Sequence, residues 1–112
     1  PATLMLGDLS AAPQRALMAS GVLGRSYEVV KVAHHGSADQ AATLYERIDA
    51  AVAVITVCAE NGFGPPGVDL LAILDDVGAM TARTDRDGML ALWRAETGVM
   101  LWRDGGGVGT PR

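Results

Sequence analysis

The run Ala51-Val52-Ala53-Val54-Ile55-Thr56-Val57 constrains the fold more than any other stretch. It carries no charge and is dominated by β-branched residues, so it suits a strand buried on both faces, as strands of parallel sheets are. Two earlier segments repeat the theme. Ala2 to Leu6 is short, apolar and β-compatible, and Gly7-Asp8 ends it; Tyr27 to Ala33 supplies Val29, Val30 and Val32. Helical spacing fills the intervals. Leu9, Ala12, Ala16 and Leu17 fall on one face, with Ser10 or Asp8 as cap, Pro13 in the first turn and Gly21 as the stop. Ala41, Leu44, Tyr45 and Ile48 form a second stripe that Ser37 or Asp39 would cap. Leu70, Leu71, Leu74 and Val77 form a third, led in by Pro65-Pro66 and closed by Gly78.

From Ala79 the pattern shortens. Ala79 to Thr84, Met89 to Arg94 and Val99 to Arg103 read as strands, separated by Asp85-Arg86-Asp87-Gly88 and Ala95-Glu96-Thr97-Gly98 as turns. The expected architecture is α/β: β-α-β-α-β-α with right-handed crossovers, then a β-meander added antiparallel. One domain is expected over residues 1–104, with a flexible Gly-rich tail over 105–112. The strand pattern starts at once at Ala2, which suggests a piece of a longer protein.

Composition excludes several roles. Hydrophobic residues make up 49% and charged residues 20%, a globular balance. Nine basic against 13 acidic residues give a net charge of −4, the wrong sign for autonomous nucleic-acid binding by charge. The single Cys58 forms no internal disulfide, and no apolar run approaches the roughly 20 residues of a transmembrane helix.

Both histidines of the chain stand together in Lys31-Val32-Ala33-His34-His35-Gly36-Ser37, where an apolar run meets a polar loop. In α/β sheets chemistry gathers at the carboxyl ends of strands, and Asp8 occupies the equivalent place after the first. Imidazole serves as metal ligand or general base, and one carboxylate with one or two imidazoles suits zinc or manganese. Catalytic zinc usually takes three protein ligands, so a complete site would need Glu60, Asp85 or a second chain. The plainer reading has His34 and His35 capping a strand and bonding a loop. Cys58 reads as a buried structural thiol, Trp93 and Trp102 as packing residues, and Arg83, Asp85, Arg86 and Asp87 as a solvated hairpin tip.

Three motifs in order, Leu4-Met5-Leu6-Gly7-Asp8-Leu9, Val29-Val30-Lys31-Val32-Ala33-His34-His35-Gly36-Ser37 and Arg83-Thr84-Asp85-Arg86-Asp87-Gly88, resemble the C-terminal half of the metallo-β-lactamase-fold domain of ComEC-type competence proteins. Those are bacterial inner-membrane channels for DNA internalisation, and their hydrolase-like domain is thought to degrade the strand that is not imported. The resemblance spans residues 2 to 103 and implies half of an αββα sandwich. It makes Asp8 the carboxylate bridging two zinc or manganese ions. It also makes one of His34 and His35 (His35 is favoured) a ligand of the second ion, with the other near the substrate phosphate. Two such ions activate water and stabilise the leaving oxygen of a phosphodiester.

The departures from that family are as specific. Its His-x-His-x-Asp-His cluster is absent, and its Asn-x-Tyr-Gly-His-Pro-His-Pro loop reads Asn61-Gly62-Phe63-Gly64-Pro65-Pro66-Gly67 here. The resemblance therefore implies a phosphodiesterase or nuclease fragment that is inactive alone and partners either the missing N-terminal half or a second copy. A degenerate, non-catalytic interaction module is the alternative. A receiver or flavodoxin-type domain fits less well, because only one acid follows the first strand and Lys31 is the sole lysine.

Overall fold

The computed structural model describes residues 2–24, 26–57, 66–96 and 98–111. Four strands, β1 (Thr3–Met5), β2 (Val29–Lys31), β3 (Val52–Ile55) and β4 (Met80–Arg83), form an all-parallel sheet in the order β1-β2-β3-β4. Helices α1 (Ala11–Ser20), α2 (Ala42–Ile48) and α3 (Val68–Asp76) make the crossovers. A short helix, α4 (Thr84–Asp87), leads out of β4. Strands β5 (Leu90–Ala95), β6 (Gly98–Arg103) and β7 (Gly107–Gly109) then form a separate antiparallel meander.

Sequential strand order with a constant crossover hand places all three crossover helices on one face. The register defines what that face buries. Leu4, Val30 and Ala53 stand in one row across the strands, and they pack with Leu44, Tyr45, Ile48, Leu70 and Leu74 from the helices into the main core. The opposite face carries the rows Thr3-Val29-Val52-Met80 and Met5-Lys31-Val54-Ala82. The meander covers part of it, through Val29, Val52 and Val99 with Leu92 and Val54 alongside. The layers are helices, parallel sheet, antiparallel sheet. Cover stops short of β1: Met5 is 70% exposed, and an open groove lined by Thr3, Met5, Val29, Lys31, Val54 and Leu92 runs beside β5.

The mixed α/β class expected from the pattern is present, with four differences in detail. The segment expected to open the meander is β4, the fourth parallel strand: Ala82 packs fully buried, and pairing with β3 offers its backbone a ladder. The tail expected to be flexible holds β7 on β6, with Pro111 buried. The apolar face read for α1 is displaced, since Ala12 and Ala16 are exposed and Gln14 is fully buried. The caps also differ. Asp39 accepts from the Ala11 N–H at 3.3 Å, so it serves α1 rather than the helix that follows it, and neither Ser10 nor Ser37 makes a side-chain cap bond. The stripe of α2 is as read, with Ala41, Leu44, Tyr45 and Ile48 all buried.

Candidate functional site

Parallel pairing of β1 with β2 brings the loops at their carboxyl ends together. The Leu6 N–H donates to the Lys31 carbonyl at 3.3 Å, and the His34 N–H donates to the Gly7 carbonyl at 2.7 Å. Gly7-Asp8 and His34-His35 are thus adjoining backbone segments. Asp8, His34 and His35 are all exposed. The structure sets the backbone segments that carry Asp8 and His34-His35 side by side at the carboxyl ends of β1 and β2.

The backbone between β2 and the following loop is strained. Ala33 to Gly36 form a single 3-10 turn in which His34 (φ 49°, ψ 47°) and His35 (φ 53°, ψ 27°) are both left-handed. That conformation costs an L residue about 1–2 kcal/mol, so its surroundings must hold it. Gly36 does so from one side. Its φ is +82°, and an added Cβ would lie 3.0 Å from Pro66 Cβ, 3.1 Å from Ile55 Cγ2 and 3.4 Å from Leu70 Cδ2. Only glycine fits there. The Gly67 N–H donates to the Gly36 carbonyl at 2.9 Å and the Ser37 N–H to the His34 carbonyl at 3.0 Å.

The turn aims the His35 ring at the end of β3. Nδ1 of His35 lies 2.6 Å from the Thr56 carbonyl oxygen, with Thr56 Oγ1 at 3.4 Å. A carbonyl only accepts, so Nδ1 carries the proton and the Nε2 lone pair of the neutral ring is left available. Ligating histidines are typically oriented by this kind of bond to their other nitrogen. The Ser37 hydroxyl, read from the sequence as a helix cap, is buried and has no hydrogen-bond partner among the described residues.

The remaining sequence candidates do not join this site. Asp85 is clasped by Arg83 through two bonds, of 3.0 and 2.7 Å, and the guanidinium holds its carboxyl below the usual carboxylate range. Arg83, Asp85, Arg86 and Asp87 are no solvated hairpin tip. They lie in or just before α4, between the two sheets' strands, and Asp87 is buried. Thr84 Oγ1 bonds both the N–H and the carbonyl of Val57, at 2.7 and 2.8 Å, which ties α4 to the end of β3. Cys58, Glu60 and the loop with Asn61 and Phe63 lie outside the described residues.

Among the described residues no group of three or more His, Cys, Asp or Glu side chains could hold a metal ion. Asp8, His34 and His35 therefore do not make a zinc or manganese centre by themselves. What the arrangement offers is a set of three exposed polar side chains, with the His35 ring held by a hydrogen bond. Sequence reasoning passed over Thr56, Gln14 and Gln40, which shape this set. A threonine ending a strand and glutamines next to helix starts carry no pattern that marks them. Comparison with protein-family models, with curated proteins and with solved structures returned no match for this chain.

Proposed function

We propose that the chain is the C-terminal half of a metallo-β-lactamase-like αββα domain of the ComEC competence type, contributing one wall of a two-metal phosphodiesterase site that acts on DNA. The observation that carries this reading is the backbone contact between the Gly7-Asp8 and His34-His35 loops, with His35 Nδ1 bonded to the Thr56 carbonyl so that Nε2 is the ring nitrogen left for a ligand. Asp8 would bridge two zinc or manganese ions and His35 would ligate one of them. Such ions would activate water for attack on phosphorus. The other donors must come from the complementary half, so this chain alone does not hydrolyse DNA.

The uncovered groove supports the same reading. It is apolar except for Thr3 and Lys31, and the Lys31 ammonium has no ion-pair partner among the described residues. An occupant needs an apolar sheet face and a carboxylate opposite Lys31. A second copy packed about a two-fold axis would bring two Lys31 ammoniums into one apolar contact, which is unfavourable. The complementary half of the domain is the occupant we assign, within a membrane-anchored bacterial parent. The test is metal-dependent DNA cleavage by a polypeptide joining this chain to that half. Cleavage with Mn²⁺ that is abolished by Asp8→Ala is the expected result. A joined polypeptide that binds no metal contradicts it. One observation favours a non-catalytic interaction module instead: no described residues complete a metal site. A joined polypeptide that folds but stays metal-free would support that second reading.

A further inference from the structure

The two sheets differ in width. Four parallel strands lie against a meander of three, and contacts between the layers fix which strand goes uncovered. At one side β7 sits over β4, since a Cβ added at Gly109 would lie 3.3 Å from Met80 Sδ. Further in, Val99 of β6 and Leu92 of β5 pack with Val29, Val52 and Val54 of β2 and β3. Arg94 on β5 reaches the carboxylate of Glu28, just before β2, at 3.0 Å. The meander therefore ends at β5, and the next position, over β1, is the open groove at Met5 and Lys31.

The edge of β5 that borders this position is unpaired among the described residues. The Asp104 N–H donates to the Met89 carbonyl at 2.9 Å, so Met89 and Asp104 are a hydrogen-bonded pair beyond the end of the β5–β6 ladder. Such pairs alternate along antiparallel strands. Ala91, Trp93 and Ala95 therefore bond β6, while the N–H and carbonyl groups of Leu90, Leu92 and Arg94 point out of the other edge. The side chains of these three residues face the parallel sheet, as the packing of Leu92 shows. A strand added at this edge turns the residues opposite them the same way. Unpaired backbone, uncovered apolar face and the Lys31 ammonium thus meet at one place. A single strand about 4.8 Å from β5 and about 10 Å above β1 would satisfy all three.

A second copy fits poorly. Two β5 edges paired together would set the row Leu90-Leu92-Arg94 of one copy over the other's Lys31, a cation where a carboxylate is needed. Strand β7, at the other edge of the meander, has three residues, two of them glycine, and offers a shorter ladder.

We propose that β5 is a docking edge. It takes an extended segment as a fourth strand of the meander, with apolar side chains at alternate positions over Met5 and Val29 and one carboxylate among them on Lys31. The inference rests on the assignment of the groove to the complementary half only for the source of that segment; the pairing itself needs neither metal nor hydrolysis.

The experiment uses the whole ¹⁵N-labelled chain and the end-capped heptapeptide TVTETVT. Excess peptide should slow amide exchange at Leu90, Leu92 and Arg94 at least about tenfold and leave Trp93, already bonded to β6, unchanged. The peptide TVTKTVT should bind the parent about threefold or more weakly, and Lys31→Glu should reverse that order. If Lys31→Glu fails to fold, Lys31→Gln should bind the two peptides equally. TVTETVT with its valines N-methylated keeps the apolar side chains, loses those donors and should leave exchange unaltered. Exchange that does not slow at Leu90, Leu92 and Arg94, slowing at β7 instead, or equal slowing by the N-methylated peptide overturns the docking edge. A preference for TVTETVT that persists in Lys31→Glu or Lys31→Gln overturns the contact with Lys31. Pairing of TVTETVT with β5, alongside a joined polypeptide that stays metal-free, would sink the phosphodiesterase reading and uphold this inference.

Discussion

At the scale of single residues, the histidine pair was legible as a candidate and its conformation was not. The adjacency of His34 and His35 at the end of an apolar run drew attention to them. Their left-handed backbone is imposed by Gly36 under Pro66, Ile55 and Leu70, and by bonds to Ala33, all of which depend on the assembled fold. The strain has a measurable size. His34→Gly removes an exposed side chain from a left-handed site, so urea unfolding should show the variant more stable by about 1 kcal/mol. A variant less stable than the parent would mean that His34 is not strained. Tyr45 offers a second check. Burial pushes its phenol up to about 12, against a smaller opposing effect of the Ala33 N–H. The native state keeps the proton that the unfolded chain releases above pH 10, so stability falls as pH rises from 10 towards 12. The loss should approach about 3 kcal/mol at one pKa unit per 1.36 kcal/mol, and Tyr45→Phe should be free of it. Identical alkaline unfolding curves would contradict the burial.

Among the elements, those with a strong period were readable and those specified by polar contacts were not. The stripe of α2 and the run of β3 have one solution each; the stripe is buried as read, and so is the run apart from Val54, which lines the open groove. Helix α1 was placed but its face was misjudged, because Gln14 carries no apolar signal while it occupies the buried centre of the helix. Helix α4 was read as a turn for a similar reason. Its four residues are held by bonds rather than by periodicity. Burial alone would raise the Asp87 carboxyl. The Arg83 N–H at 2.9 Å, together with Arg86 and Arg103, outweighs that and holds it below the usual carboxylate range. A depressed carboxylate contributes stability that is present above its unfolded pKa and is lost as pH falls through its folded value. Asp87→Ala should therefore cost about 3 kcal/mol at neutral pH and flatten the acid limb below about pH 4. An unchanged acid limb would show that Asp87 is not the group that ties β4 to the meander.

On the scale of the whole molecule, the βα alternation announced the parallel sheet, since three amphipathic helices between apolar strands leave few other packings. Which strands belong to which sheet was not announced. Ala79 to Thr84 has the length of a meander strand, and only the vacant ladder beside β3 recruits it. The partly covered sheet face is likewise a property of the assembled layers, and it has a chemical signature. The apolar sulfonate dye anilinonaphthalene sulfonate should bind the native protein at the groove, and Lys31→Glu should weaken that binding several-fold. Equal binding by the variant would place the dye elsewhere. The central claim is that Asp8 and His35 face one cation as a single wall. Its most direct test is a Mn²⁺ titration of the ¹⁵N-labelled chain, read as paramagnetic broadening residue by residue. The account predicts that the Asp8 and His35 amides broaden first, with one shared midpoint, and that Asp8→Asn shifts the midpoint of His35. Broadening that spares His35, or separate midpoints for the two residues, would contradict it.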